Sequence, residues 1–191
     1  MKHNKLHFYV IFLAAAIGLG VVNSSQGMGL RSFVALPVEK GGAVVRLAFE
    51  HAGEINRNRL ITSMAYGFNA KQTLLLGLPY RLSPAGAQRQ GDVSALYRHI
   101  IWQVDSLSGT NRLGWLGGVI VPTTANRDGA AQVGFVLTHF KHRHEIDVDV
   151  LYQVGAGKRV DSGRYDLSWQ YRLSPVERPD WGIATEVNGV L

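Results

Sequence analysis

Two segments near the C-terminal end of the chain alternate apolar and polar positions residue by residue. In the first, Ile146, Val148, Val150, Tyr152 and Val154 interleave with Asp147, Asp149, Leu151 and Gln153. In the second, Tyr165, Leu167, Trp169, Tyr171 and Leu173 interleave with Asp166, Ser168, Gln170 and Arg172. Successive side chains of a strand point to opposite faces, so this pattern builds a sheet with one apolar and one polar face. Turn-forming clusters recur at near-regular intervals along the rest of the chain. Between them the pattern predicts nine strands, at about 43–51, 58–68, 71–80, 92–104, 112–122, 130–141, 144–155, 163–173 and 181–190. Most exceed the five or six residues usual in globular proteins and suit the roughly 9–11 of a tilted strand crossing a bilayer.

Faces can be assigned beyond the two cleanest strands. Leu74, Leu76, Leu78 and Tyr80 share one face, as do Leu113, Trp115, Val119 and Val121. The fourth strand is poorer, because Ile100, Ile101 and Trp102 are consecutive. Tyr80, Trp102, Tyr171 and Trp181 fall near strand ends, where they suit either an interfacial girdle or ordinary packing. The connections alternate in length. Tight turns at 69–71 and 142–143 contrast with longer polar stretches at 52–57, 81–91, 123–129 and 156–162, and Asp105 to Asn111 is long for its place in that series. A short repeat, Tyr80-Arg81-Leu82-Ser83-Pro84 and Tyr171-Arg172-Leu173-Ser174-Pro175, ends two strands at opposite ends of the sheet. Proline stops a ladder there without removing a needed donor.

Targeting and composition narrow the class. Lys2 and Lys5 precede an apolar run from Phe8 to Val22, and small residues Ser24, Ser25 and Gly27 follow. This reads as a signal peptide over residues 1–27, cleaved before Met28, leaving residues 28–191 as one domain. No later run approaches the roughly 20 apolar residues of a membrane-spanning helix, so a membrane location would have to use strands. The expected fold is therefore all-β, an antiparallel transmembrane β-barrel in the outer membrane, with lipid and a small-molecule solute as its partners. The formal charge of +6 is spread without a basic block, which gives no sign of nucleic-acid binding. The chain has no cysteine, and thus no disulfide and no thiolate metal site.

The residues also resemble a known family. Tyr66-Gly67-Phe68 followed by Leu74-Leu75-Leu76-Gly77-Leu78-Pro79-Tyr80 is similar to a hairpin of outer-membrane transporters labelled as the MetA-pathway of phenol degradation type. Gly91-Asp92 resembles that family's strand opening, and Gly118-Val119-Ile120-Val121-Pro122-Thr123 its strand end. The resemblance spans most of residues 40–189. It implies a barrel concerned with passage of small, often hydrophobic or aromatic compounds. The chain departs from such barrels at its end, Gly189-Val190-Leu191, where an aromatic residue is usual, and in its odd strand count.

Two constellations carry candidate chemistry. Asp147, Asp149, Asp166, Ser168, Gln170 and Arg172 share the polar faces of neighbouring strands, where they either line a lumen or form an inward network that fills a narrow barrel. Buried charges there demand pairing, so Asp149 or Asp166 is expected against Arg164 or Arg172. His139, His142 and His144 gather around a tight turn, either as metal ligands or as polar strand-end residues. Neither G-x-S-x-G nor H-E-x-x-H occurs, and no phosphate loop is present. The expectation is a channel for small compounds without enzymatic activity or cofactor. The alternative is a structural or ligand-binding barrel, periplasmic or outer-membrane, that transports nothing.

Overall fold

Long alternating segments separated by short turns can pair only with their neighbours in sequence, and the chain folds that way. The computed structural model describes residues 11–12, 38–52, 57–86, 89–173 and 182–190. Its strands are β1 (Ile11–Phe12), β2 (Ala43–Ala52), β3 (Arg57–Asn69), β4 (Gln72–Ser83), β5 (Val93–Ser106), β6 (Gly109–Val121), β7 (Ala130–Lys141), β8 (His144–Gly155), β9 (Ser162–Arg172) and β10 (Gly182–Val190). All pair antiparallel in sequence order, and the sheet curls into a half-barrel of nine long strands. No described residue is helical. The two-residue β1 sets Ile11 opposite Glu50 and Phe12 opposite Phe49. The rest of the expected signal segment, the cleavage point, Trp181 and the Ser174-Pro175 end of the repeat lie outside the described residues.

Each predicted strand has its counterpart, with two informative differences. The irregularity at Ile100-Ile101-Trp102 is a β-bulge: Ile100 pairs with Gly114 and Trp102 with Leu113, leaving Ile101 as the extra residue. A bulge places two residues against one, so consecutive apolar residues need not break the alternation of the flanking halves. The Asp105–Asn111 stretch is not a long loop. β5 runs to Ser106, β6 starts at Gly109, and only Leu107 and Ser108 turn. All three hairpin turns described at this end therefore consist of two residues, at 70–71, 107–108 and 142–143, while the connections at the opposite end are longer. Two of the short turns are tied together, since the His142 amide donates to the Ser108 carbonyl at 2.7 Å, and the end of β9 joins them through the Arg172 amide to the Arg143 carbonyl at 2.9 Å.

The faces are partitioned in an unusual sense. Val45, Leu47, Phe49, Val133, Leu137 and Leu167 point outward and are exposed, with Phe135 at 57 % and Val150 at 44 %. The concave side is buried. It holds an apolar layer of Ala65, Leu75, Leu96, Leu116, Val136 and Leu151, onto which Val38 packs. Leu116 is completely buried. Gly67 permits the close approach of Val38 and Glu39, whose carbonyls occupy the space a Cβ would need. Polar residues flank this layer on the same inner surface.

Candidate functional site: a polar inner face

β8 and β9 set their inward residues directly opposite one another: Asp149 with Asp166, Asp147 with Ser168, and Glu145 with Gln170. Asp147, Asp149, Asp166, Ser168 and Gln170 are all buried on the concave side, and Arg172 is half-buried beside them. Like charges directly opposite oppose each other, so the Asp149–Asp166 pair must be held by its surroundings. Arg164 Nε lies 3.7 Å from Asp166, one of the pairings the sequence led us to expect. Arg172 instead reaches Glu145, also at 3.7 Å, and its guanidinium sits 4.5 Å from the centre of the Phe140 ring. Asp149 is completely buried, with Asp166 its neighbour across the strand pair. Ser168 donates to Asp147 at 3.4 Å.

The other side of the concavity is basic. Arg98 is 1 % exposed and donates to the Thr73 hydroxyl at 2.6 Å. Arg59 approaches Glu50 at 3.9 Å, and β3–β4 pairing sets Arg59 opposite Arg81. Sequence reasoning concentrated on β8 and β9 and missed this half. Its signal was present: Arg46, Arg57, Arg59, Arg81, Arg98 and Arg112 all fall on the polar parity of their strands, and reading parity strand by strand would have gathered them.

The three histidines have other contacts. His139 and His144 both point outward and His142 occupies the turn with φ of 56°. His139 Nδ1 pairs with Asn111 Oδ1 at 2.5 Å. His144 packs against Trp169 and Tyr171, with ring centroids 5.9 and 5.0 Å away, and Trp169 Nε1 donates to its Nδ1 at 3.3 Å. Among the described residues no group of three or more histidine or acidic side chains is arranged to hold a metal ion.

A third constellation closes the long-loop end. Asp92, just before β5, accepts from Arg127 Nη1 at 3.0 Å, Arg159 Nη1 at 2.8 Å and the Thr123 amide at 3.3 Å. The Thr123 hydroxyl also donates to the Gly91 carbonyl at 3.2 Å. Gly91-Asp92 and Pro122-Thr123, separate in sequence, thus meet in space. Arg159 donates again to the Asp128 carbonyl at 2.9 Å, and Asp128 accepts from the Lys158 amide at 2.8 Å. One carboxylate therefore ties together the β4–β5, β6–β7 and β8–β9 connections. Burial acts to raise the Asp92 carboxyl, but the hydrogen bonds from Arg159, Arg127 and Thr123 outweigh it and hold the group below its ordinary value.

No family model matches this chain, and neither a curated protein nor a solved structure does.

Proposed function

We propose that the protein is a transmembrane β-barrel of the outer membrane that passes small organic compounds through a polar interior. The observation that carries this reading is the inverted partition of the sheet. A water-soluble antiparallel sheet buries its apolar face and wets its polar one; this chain exposes Val133, Phe135, Val150 and Leu167 and buries Asp147, Asp149 and Asp166. Lipid is the solvent in which that arrangement is favourable. Most aromatic side chains of the outer face stand toward its two ends, with Tyr97, Trp115 and Phe135 between them. Tyr66, Phe68, Trp102, Trp169 and Tyr171 stand toward the short turns, and Phe49, Tyr80 and Tyr152 toward the long connections. Girdles of this kind flank the apolar band of outer-membrane barrels, whose short turns are periplasmic and long loops external. The resemblance in Tyr66-Gly67-Phe68, Gly91-Asp92 and Pro122-Thr123 points to the same class, and there implies small, often hydrophobic or aromatic cargo.

A second reading is a barrel that spans the membrane sealed, with a structural role. It is favoured by the apolar layer of Ala65, Leu75, Leu96 and Leu116, which packs the concave side. Both readings place the chain in a membrane fraction, with gel migration that changes on boiling. Reconstitution into phosphatidylcholine liposomes separates them. Transport requires solute flux above protein-free vesicles, and a tight vesicle containing folded protein leaves only the sealed barrel. Recovery of folded protein in the detergent-free soluble fraction would overturn both.

A further inference from the structure

The outer face is almost free of charge, and its exception has a fixed place. Among the described residues the outward positions of β2 to β10 hold neither aspartate nor glutamate, and Lys141 is the single lysine or arginine among them. Lys141 ends β7 and stands directly opposite His144, which opens β8. The turn between them adds His142 and Arg143, and all four side chains are exposed. The next residue, Glu145, is buried on the other face and approaches Arg172 at 3.7 Å. Among the described residues neither Lys141 nor Arg143 is joined to a carboxylate. Two cations with no acid beside them, at the rim of an apolar face, call for an anionic partner.

We infer that the turn from Lys141 to His144 is a headgroup site for an anionic phospholipid of the leaflet that borders the short turns. The inference rests on the membrane reading above, not on transport, and names the lipid that this end of the barrel selects. Trp169 and Tyr171 pack against His144, and such rings sit at the level of lipid headgroups, so the phosphate layer meets Lys141 at the same depth. Trp169 Nε1 donates to His144 Nδ1, which leaves Nε2 to carry the ring proton and donate to an outside acceptor. On its other flank Lys141 faces Gly109, where an added Cβ would run into the Phe140 carbonyl, so no side chain covers the ammonium there. Cross-strand neighbours have Cβ atoms roughly 5 Å apart, so one phosphate can meet Lys141 and His144 together. Beyond them Leu137, Ile146 and Leu167 continue the exposed apolar face, where the acyl chains of the same lipid would lie. A free anion would make no use of that surface.

The test uses the full chain with Trp169 as the sole tryptophan left of its four, in phosphatidylcholine vesicles that carry a minor share of an acyl-brominated lipid. The brominated lipid is either phosphatidylglycerol or phosphatidylcholine. Each lysine or arginine near the surface strengthens binding to anionic lipid by about fivefold, so the two cations should let brominated phosphatidylglycerol quench Trp169 at roughly tenfold lower content than brominated phosphatidylcholine. With Trp115 as the sole tryptophan, in the middle of the face, the two lipids should quench alike. Lys141→Gln/Arg143→Gln, which alters exposed side chains, should abolish the preference at Trp169. Folding is checked by migration before and after boiling, and spin-labelled forms of the same two lipids repeat the comparison in the wild-type chain should a tryptophan variant fail to fold. Equal quenching of Trp169 by both lipids, an equal preference at Trp115, or a preference that persists in the folded double variant overturns the headgroup site and leaves the membrane barrel standing. A preference removed by inorganic phosphate but not by sodium chloride of equal ionic strength assigns the cations to a free anion and overturns the lipid site as well. No quenching at either position by either lipid overturns both the site and the membrane reading.

Discussion

Asp92 joins distant parts of the chain, because its two oxygens hold arginines from connections 35 and 67 positions away. Hydrogen bonds to a charged, largely buried group contribute about 1.5–3 kcal/mol each, so Asp92→Asn should free the long loops while leaving the strands paired. The expected outcome is protease cleavage within 122–129 and 156–161 at neutral pH in the variant but not in the wild type. The pH dependence has a definite sign. The carboxyl lies below its ordinary value in the folded state, so the stabilisation is complete above about pH 4, the unfolded value, and disappears as pH falls through the lower folded value. Acid titration of the wild type should therefore lower its urea midpoint below about pH 4, and Asp92→Asn should lack that part of the decline. The sequence marked Gly91-Asp92 and Pro122-Thr123 only as separate strand-end motifs and did not join them. Asp92, Arg127 and Arg159 are ordinary loop charges until the sheet brings their connections side by side.

At the level of elements the sequence was far more informative. Alternation located β7, β8 and β9 closely, because Ile146, Val150, Leu167 and Trp169 mark one face without interruption. Turn chemistry was the weaker guide. The extension of β5 through Asp105 and Ser106 was missed because these residues read as loop by composition, although Asp105 accepts from Gln103 at 2.6 Å and Thr110 at 2.8 Å on the strand surface. The Ile101 bulge could not be separated from a failure of alternation by a single-strand reading. It takes the partner register on β6 to show that both halves keep their faces. The outward parity itself can be tested. Leu167→Arg should destabilise a lipid-embedded barrel by about 2–4 kcal/mol, seen as lost heat-modifiable migration at lower urea. The same change on a face meeting water would cost far less, since surface substitutions usually lie within about 0.5 kcal/mol.

For the molecule as a whole, contact of the convex side with lipid has a direct optical test. Trp115 and Trp169 both stand on that face. Variants in which one of these two is the sole tryptophan left of the chain's four should show fluorescence quenched by lipids brominated on their acyl chains. Emission unaffected by bromine at both positions would remove lipid from the convex surface and the transport reading with it. The global features legible beforehand were the strand count and the alternation of turn lengths, both products of local chain chemistry. The sorting of arginines to β2–β6 and acids to β8–β10 was equally written in the parity of each strand, and went unread because attention stopped at the two cleanest strands.

The antiparallel order has one more consequence. β2 and β10 stand an even number of steps apart, so they run in the same direction. A seam made by zipping these two strands directly would be parallel, with the slanted and slightly weaker bonding of that geometry. A single intervening strand of opposite direction would restore an unbroken up-and-down circuit.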